Sequence, residues 1–222
     1  MEGVVQIAGI IDLDEAEMVA AAGADFLGFP LRLKDGREDL SEDEARAIIA
    51  AVATPSVCIT YLQRAAEVAS LCDALNAPWV QLHAPISSGE LRSLRASRPD
   101  LGIIKSLVVT RDNLQALEQE VIDLSPHVDA FITDTYDPAT GRSGATGKTH
   151  DWAVSQQLVE CSPRPLILAG GLHPENVYDA IVDVKPAGVD AHTGVEAADG
   201  RKDEALVRRF VSEAARGFSA LV

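Results

Sequence analysis

The chain has 222 residues, a formal charge of −15, and a hydrophobic fraction of 47% against 24% charged, the make-up of a single α/β domain spanning 1–222. Its negative charge repels phosphate backbones and anionic bilayers at long range, so neither nucleic acid nor membrane is expected as a partner. A small anionic ligand is not excluded, because backbone dipoles can bind one locally.

No apolar run reaches the roughly 20 residues that a membrane span needs. The opening Met1-Glu2-Gly3 carries neither a basic leader nor a long apolar core. Three cysteines, Cys58, Cys72 and Cys161, make no metal-like pair and no even disulfide set, so a reducing cytoplasm is the expected location.

In chain order the candidate strands are Val4–Ala8, Asp25–Phe29, Ser56–Tyr61, Trp79–Leu82, Gly102–Ser106, Ala130–Thr133, Leu166–Ala169 and Gly188–Ala191. Most are continuous apolar runs, the pattern of parallel strands covered on both faces. Helical stretches fall between them. Asp12 reads as the cap of a helix starting near Asp14. Ser41 to Glu44 forms a capping box ahead of Ala45–Val52. Arg111–Leu124, Asp151–Glu160 and Asp203–Phe218 have helical spacing, and Pro174-Glu175-Asn176 suits a first helical turn. Eight strands alternating with eight helices predict a closed (β/α)8 TIM barrel; an open doubly wound sheet usually needs fewer strands.

Chemistry in such a barrel sits on the loops after the strands' C-terminal ends. Gly170-Gly171 follows strand seven, and Thr193-Gly194 follows strand eight and leads into a short extra helix. Glycines allow close backbone approach and helix N-termini present free N–H groups. Gly170, Gly171, Thr193 and Gly194 are therefore expected to cradle a phosphate, which makes the partner a phosphorylated small molecule.

Several stretches together resemble phosphoribosylanthranilate isomerase of tryptophan biosynthesis. They are "GADFLGF", "VQLHA", "ITDT", "GKTHDW", "AGGLHPENV" and "VDAHTGVEAADGRKDEA", in that order along nearly the whole chain. The resemblance implies a (β/α)8 barrel that performs an Amadori rearrangement of an N-ribosyl amine phosphate without metal or cofactor. A general acid protonates the furanose oxygen, and a general base then takes the C2 proton. By this resemblance Asp134 of "ITDT" is the acid, a role that asks for a desolvated pocket.

The family's base is a cysteine in strand one, in a pattern resembling Lys-Ile-Cys-Gly-Ile. Here the stretch reads Gln6-Ile7-Ala8-Gly9-Ile10, and a methyl group accepts no proton. His192 stands where the family more often shows a small serine-like residue, on the strand next to strand one. Alternation places Asp190 and His192 on one side of that strand. Two readings of His192 follow: it supplies the missing base, oriented by Asp190, or it contacts phosphate and fills the space beside Ala8.

Among other candidates, His83 contacts substrate or serves as a hydrogen-bonded barrel histidine. Lys105 is a possible partner of Asp134. Arg37 lies near the family's carboxylate-gripping arginine, with Arg32 as competitor. Cys58 reads as packing. Three functions are carried forward: the Amadori isomerase itself, a divergent enzyme on another phosphorylated sugar using Asp134 and His192, and a non-catalytic phosphometabolite binder. A monomer or a homodimer is expected.

Overall fold

The chain is described by a computed structural model covering residues 2–34, 36, 38–110, 112–137, 142–143 and 151–221. Arg37 and most of "GKTHDW" lie outside these residues. The strands are β1 Val4–Ala8, β2 Phe26–Pro30, β3 Ser56–Thr60, β4 Trp79–Leu82, β5 Gly102–Val109, β6 Ala130–Asp137, β7 Leu166–Leu168 and β8 Gly188–Ala191. Each pairs in parallel with its neighbours in sequence, and β8 pairs with β1, so the sheet closes into an eight-stranded barrel. A two-residue arm, Arg142–Ser143, adds to β6 in antiparallel fashion.

Helices alternate with the strands: α1 Leu13–Ala21, α2 Glu42–Ala51, α3 Ala65–Leu75, α4 Ser88–Ser97, α5 Leu114–Leu124, α6 Trp152–Cys161, α7 Val177–Val184 and α8 Glu204–Ser219. Their starts follow from local chemistry. Asp12 accepts from Glu15 N at 2.9 Å. Ser41 and Glu44 close a reciprocal capping box, with Ser41 N to Glu44 Oε2 at 2.9 Å. No helix among the described residues is long and apolar enough to cross a membrane.

The period of two along each strand sorts apolar side chains into two cores. Val57, Ile59, Ile104, Ile132 and Ile167 fill the barrel's inside with Ala8 and Ala169. Ile7, Cys58, Val80, Ile103 and Phe131 face the helix layer, which puts Cys58 in packing.

Several elements differ from the sequence expectation. β2 begins at Phe26, after Asp25, whose carboxylate accepts from Val5 N at 2.8 Å, and runs on to Pro30. β5 and β6 run several residues further than expected, β5 through Leu107, Val108 and Val109 and β6 through the largely polar Asp134 to Asp137. α7 starts at Val177 rather than Pro174, which lies in a turn. There the Asn176 side chain accepts from His173 N at 2.8 Å and donates to Gly171 O at 3.1 Å, folding the preceding residues into the loop.

Candidate active site

A row of polar side chains crosses the inside of the barrel. Gln6 on β1, Gln81 on β4 and Asp190 on β8 are all buried. Gln6 Nε2 donates to Asp190 Oδ1 at 3.0 Å and to Gln81 Oε1 at 2.8 Å. Gln81 Nε2 lies 2.7 Å from His83 Nε2, and the His83 ring stacks on Tyr61 with centroids 5.3 Å apart. At the far end His83 Nδ1 sits 3.4 Å from Asp134 Oδ2. That is ion-pair distance without hydrogen-bond geometry, and neither atom has a hydrogen-bond partner among the described residues. Thr135 N donates to Asp134 Oδ1 at 2.8 Å, fixing the carboxyl, which is only 5% exposed.

Such a row is electrostatically stiff, since each member's polarity is set by its neighbour. Burial pushes the Asp190 carboxyl up to about 6, against the opposing pull of the Gln6 hydrogen bond.

The loops after β1 and β8 meet at His192. β8 ends at Ala191, so strand alternation stops before His192, whose backbone turns away at φ −123° and ψ −88°. Asp190 therefore does not orient the imidazole. That contact is made by Glu196, whose Oε1 lies 3.3 Å from His192 Nε2 and 2.7 Å from Lys202 Nζ. Lys202 Nζ also donates to His192 O at 3.3 Å. The ring lies directly over Gly9, where an added Cβ would come within 2.2 Å of His192 Nε2. Glu15 of α1 ties the two loops together, accepting from Ile11 N at 3.0 Å and from Lys202 N at 2.7 Å.

His192 thus stands over Gly9, the residue after Ala8, which faces the barrel interior. Burial, then the Lys202 charge, pushes its imidazole down to about 3, so the ring is neutral near neutral pH. Glu196 adds little attraction for a proton, because Lys202 already neutralises it.

The glycine turns after β7 and β8 touch. Gly170 and Gly171 have φ of +101° and +65°, a region that side chains other than glycine rarely adopt. Gly194 packs so tightly on loop seven that a Cβ there would lie 1.9 Å from Leu172 O. Thr193–Val195 forms a short 3-10 turn, the extra helix expected after β8. Gly194→Ala pushes on backbone rather than on a flexible side chain. We expect it to cost about 1–3 kcal/mol, read as a lower denaturant midpoint, and to weaken binding of any ligand held by both loops.

The structure thus brings Asp134 and His83 together, and Gly170, Gly171, Thr193 and Gly194 into two adjoining turns. Lys105 does not pair with Asp134. It points outward from β5, where its Nζ is 3.7 Å from Glu120 Oε1 of α5, and desolvation lowers its pKa. Arg32 is held by Glu42 through Nε at 2.7 Å and Nη2 at 3.2 Å. The sequence reading missed Gln81, Glu196 and Lys202. The His-x3-Glu spacing of His192 and Glu196 was visible; the return of Lys202 through the Glu196–Lys202 bridge was not.

The profile of N-(5'phosphoribosyl)anthranilate (PRA) isomerase matches residues 5–213. N-(5'-phosphoribosyl)anthranilate isomerase 2 of Methanosarcina mazei is 36% identical over 218 residues, covering 96% of this chain and 95% of its own. The crystal structure of phosphoribosyl anthranilate isomerase from Thermotoga maritima matches with a TM-score of 0.81 at 28% identity, over 97% of this chain and all (100%) of that one. A second crystal structure of such an isomerase, in complex with reduced 1-(o-carboxyphenylamino)-1-deoxyribulose 5-phosphate, matches with a TM-score of 0.79 at 26% identity, over 97% and 100% of the two chains. With a matching profile, a matching barrel and relatives aligned nearly end to end, the chain belongs to the N-(5'-phosphoribosyl)anthranilate isomerase family.

Proposed function

We propose that this chain is a cytoplasmic isomerase, acting as a monomer or homodimer, that performs the Amadori rearrangement of a phosphorylated N-ribosyl amine, phosphoribosylanthranilate being the first substrate to test. The observation that carries the reading is Asp134. It is a buried carboxyl on β6, anchored by Thr135 N and facing His83, one and two strands from the glycine turns that follow β7 and β8. Those turns, at Gly170-Gly171 and Thr193-Gly194, hold the phosphate through backbone N–H groups, which the acidic surface does not oppose.

In the first step the Asp134 carboxylic acid gives its proton to the furanose oxygen. The C1–O bond breaks onto that oxygen while the nitrogen lone pair closes a C1=N bond. In the second step the C2 proton leaves to a base, the C2–H electron pair forms C1=C2, and the C1=N π pair returns to nitrogen as its lone pair. The resulting enol becomes a ketone at C2 as its hydroxyl proton leaves and a proton adds at C1.

Ala8 cannot serve as that base. His192 takes the role, using Nδ1, the nitrogen that does not face Glu196. Free, it is a weak acceptor. A phosphate dianion on Thr193-Gly194 beside it favours the imidazolium and strengthens the base when substrate is bound. Arg37, outside the described residues, is left as the grip for a substrate carboxylate.

His192→Ala is expected to lower kcat by about 10²–10⁴-fold, and Ala8→Cys in the same chain to recover part of it. Steady-state rates of the single and double variants check both statements. Gln6 and Ala8 at the family's lysine and cysteine positions favour one second reading, an enzyme for a different phosphorylated sugar using the same Asp134 and His192. Expression in a tryptophan auxotroph lacking this isomerase separates the two. Growth supports the first reading. No growth, with conversion of another sugar phosphate, supports the second. Binding without conversion of any phosphosugar overturns both.

A further inference from the structure

We propose that Gln6 is a positioning residue: its amide, held between Asp190 and Gln81, fixes the tautomer of His83 so that the ring N–H points at Asp134. The meaning of this for catalysis rests on Asp134 being the acid proposed above; the tautomer itself does not.

Each hydrogen bond in the row sets the direction of the next. An ionised carboxylate only accepts, so Gln6 turns its NH2 to Asp190 Oδ1 at 3.0 Å. The same nitrogen donates to Gln81 Oε1 at 2.8 Å. With its carbonyl thus engaged, Gln81 has only its NH2 to present to His83 Nε2, at 2.7 Å. A donor at that distance requires a lone pair on Nε2. A neutral imidazole then carries its proton on Nδ1. Nδ1 is the atom 3.4 Å from Asp134 Oδ2.

The reverse polarity is disfavoured at its origin. It would set the Gln6 carbonyl against the Asp190 carboxylate, leaving two buried acceptors facing each other. An imidazolium fails as well, since its Nε2–H would meet the Gln81 NH2 head-on. The direction therefore starts at Asp190 on β8 and is handed across β1 and β4 to the mouth of β6. There an N–H facing Oδ2 at 3.4 Å, with Thr135 N donating to Oδ1, favours the carboxylate left behind when Asp134 gives up its proton. Tyr61 stacked on the His83 ring keeps its plane fixed while this happens.

The test uses the full chain with 15N-labelled histidine, free of ligand, at pH 8, with His83 assigned from its loss in His83→Gln. Long-range proton–nitrogen spectra should show an unprotonated Nε2 and a protonated Nδ1 at His83. Gln6→Glu is nearly isosteric. It shares a proton with Asp190 and offers Gln81 an acceptor, so Gln81 must turn and His83 Nε2 must gain a proton. Gln81→Glu makes the same change without placing two carboxylates together, and serves if Gln6→Glu does not fold. A proton on Nε2 in the unaltered chain overturns the proposal. So does an Nε2 that stays unprotonated in a folded variant of either kind. Because no turnover is measured, a protein with the expected tautomer and no isomerase activity would keep this inference and sink the functional one.

Discussion

Asp134→Asn should reduce kcat on a phosphorylated N-ribosyl amine by about 10²–10⁴-fold, with little change in KM. The amide keeps the shape of the carboxyl, and its oxygen can still accept from Thr135 N, which now reaches Oδ1 at 2.8 Å. Only the transferable proton is lost. Binding through the glycine turns after β7 and β8 should be untouched, because Asp134 belongs to a different strand end. Steady-state kinetics with a melting curve on the same sample decide the matter. A folded variant with undiminished kcat would place the acid elsewhere.

A second large effect concerns stability. In the folded chain Asp190 titrates at about 6 instead of 3.8, chiefly because it is desolvated inside the barrel. Below the lower value the group is protonated whether or not the chain is folded, and burial costs nothing in charge. As pH rises through this window the unfolded chain releases the proton first, and stability falls. Above about 6 the full cost is present, about 3 kcal/mol at ~1.36 kcal/mol per pKa unit. Asp190→Asn removes the charge and leaves an oxygen to accept from Gln6. It should therefore stabilise the protein by up to about 3 kcal/mol at pH 8, with the gain vanishing near pH 4. Denaturant unfolding of both proteins across that range measures it. A variant that is destabilised at pH 8 would show that the ionised carboxylate, through Gln6, contributes more than its desolvation costs.

His192 acts in the opposite sense. Its folded value of about 3 lies below the ordinary 6.5, so its neutral burial favours the fold above pH 6.5, and that contribution is lost as pH falls toward 3. It is common to the parent and the Asp190 variant, so it cancels in the comparison.

Much of the barrel was legible because parallel strands covered on both faces must be apolar throughout. The positions of β1, β4 and β8 could be read to the residue. Extensions were lost where apolarity ends: the last residues of β6, Asp134 to Asp137, are largely polar, yet the strand pairs on through them. The Gly170-Gly171 turn was legible because few residues other than glycine adopt φ near +101° or +65°, and Gly194 because only a residue without a Cβ fits against Leu172 O. The polar row inside the barrel was not. Gln6 lies 75 positions from Gln81 and 184 from Asp190, and a single polar residue in an apolar strand carries no mark of its partner. His192 was assigned to Asp190 by strand alternation, but the strand stops one residue too early for that rule to apply.

The proposed role of His192 requires that a family barrel with no thiol at position 8 still move the C2 proton. The most direct measurement is to add the purified chain to phosphoribosylanthranilate in D2O and follow the sugar carbons by NMR. The anomeric C1 signal should give way to a C1 methylene carrying one deuteron beside a C2 ketone. Substrate left unchanged at equimolar protein would contradict it.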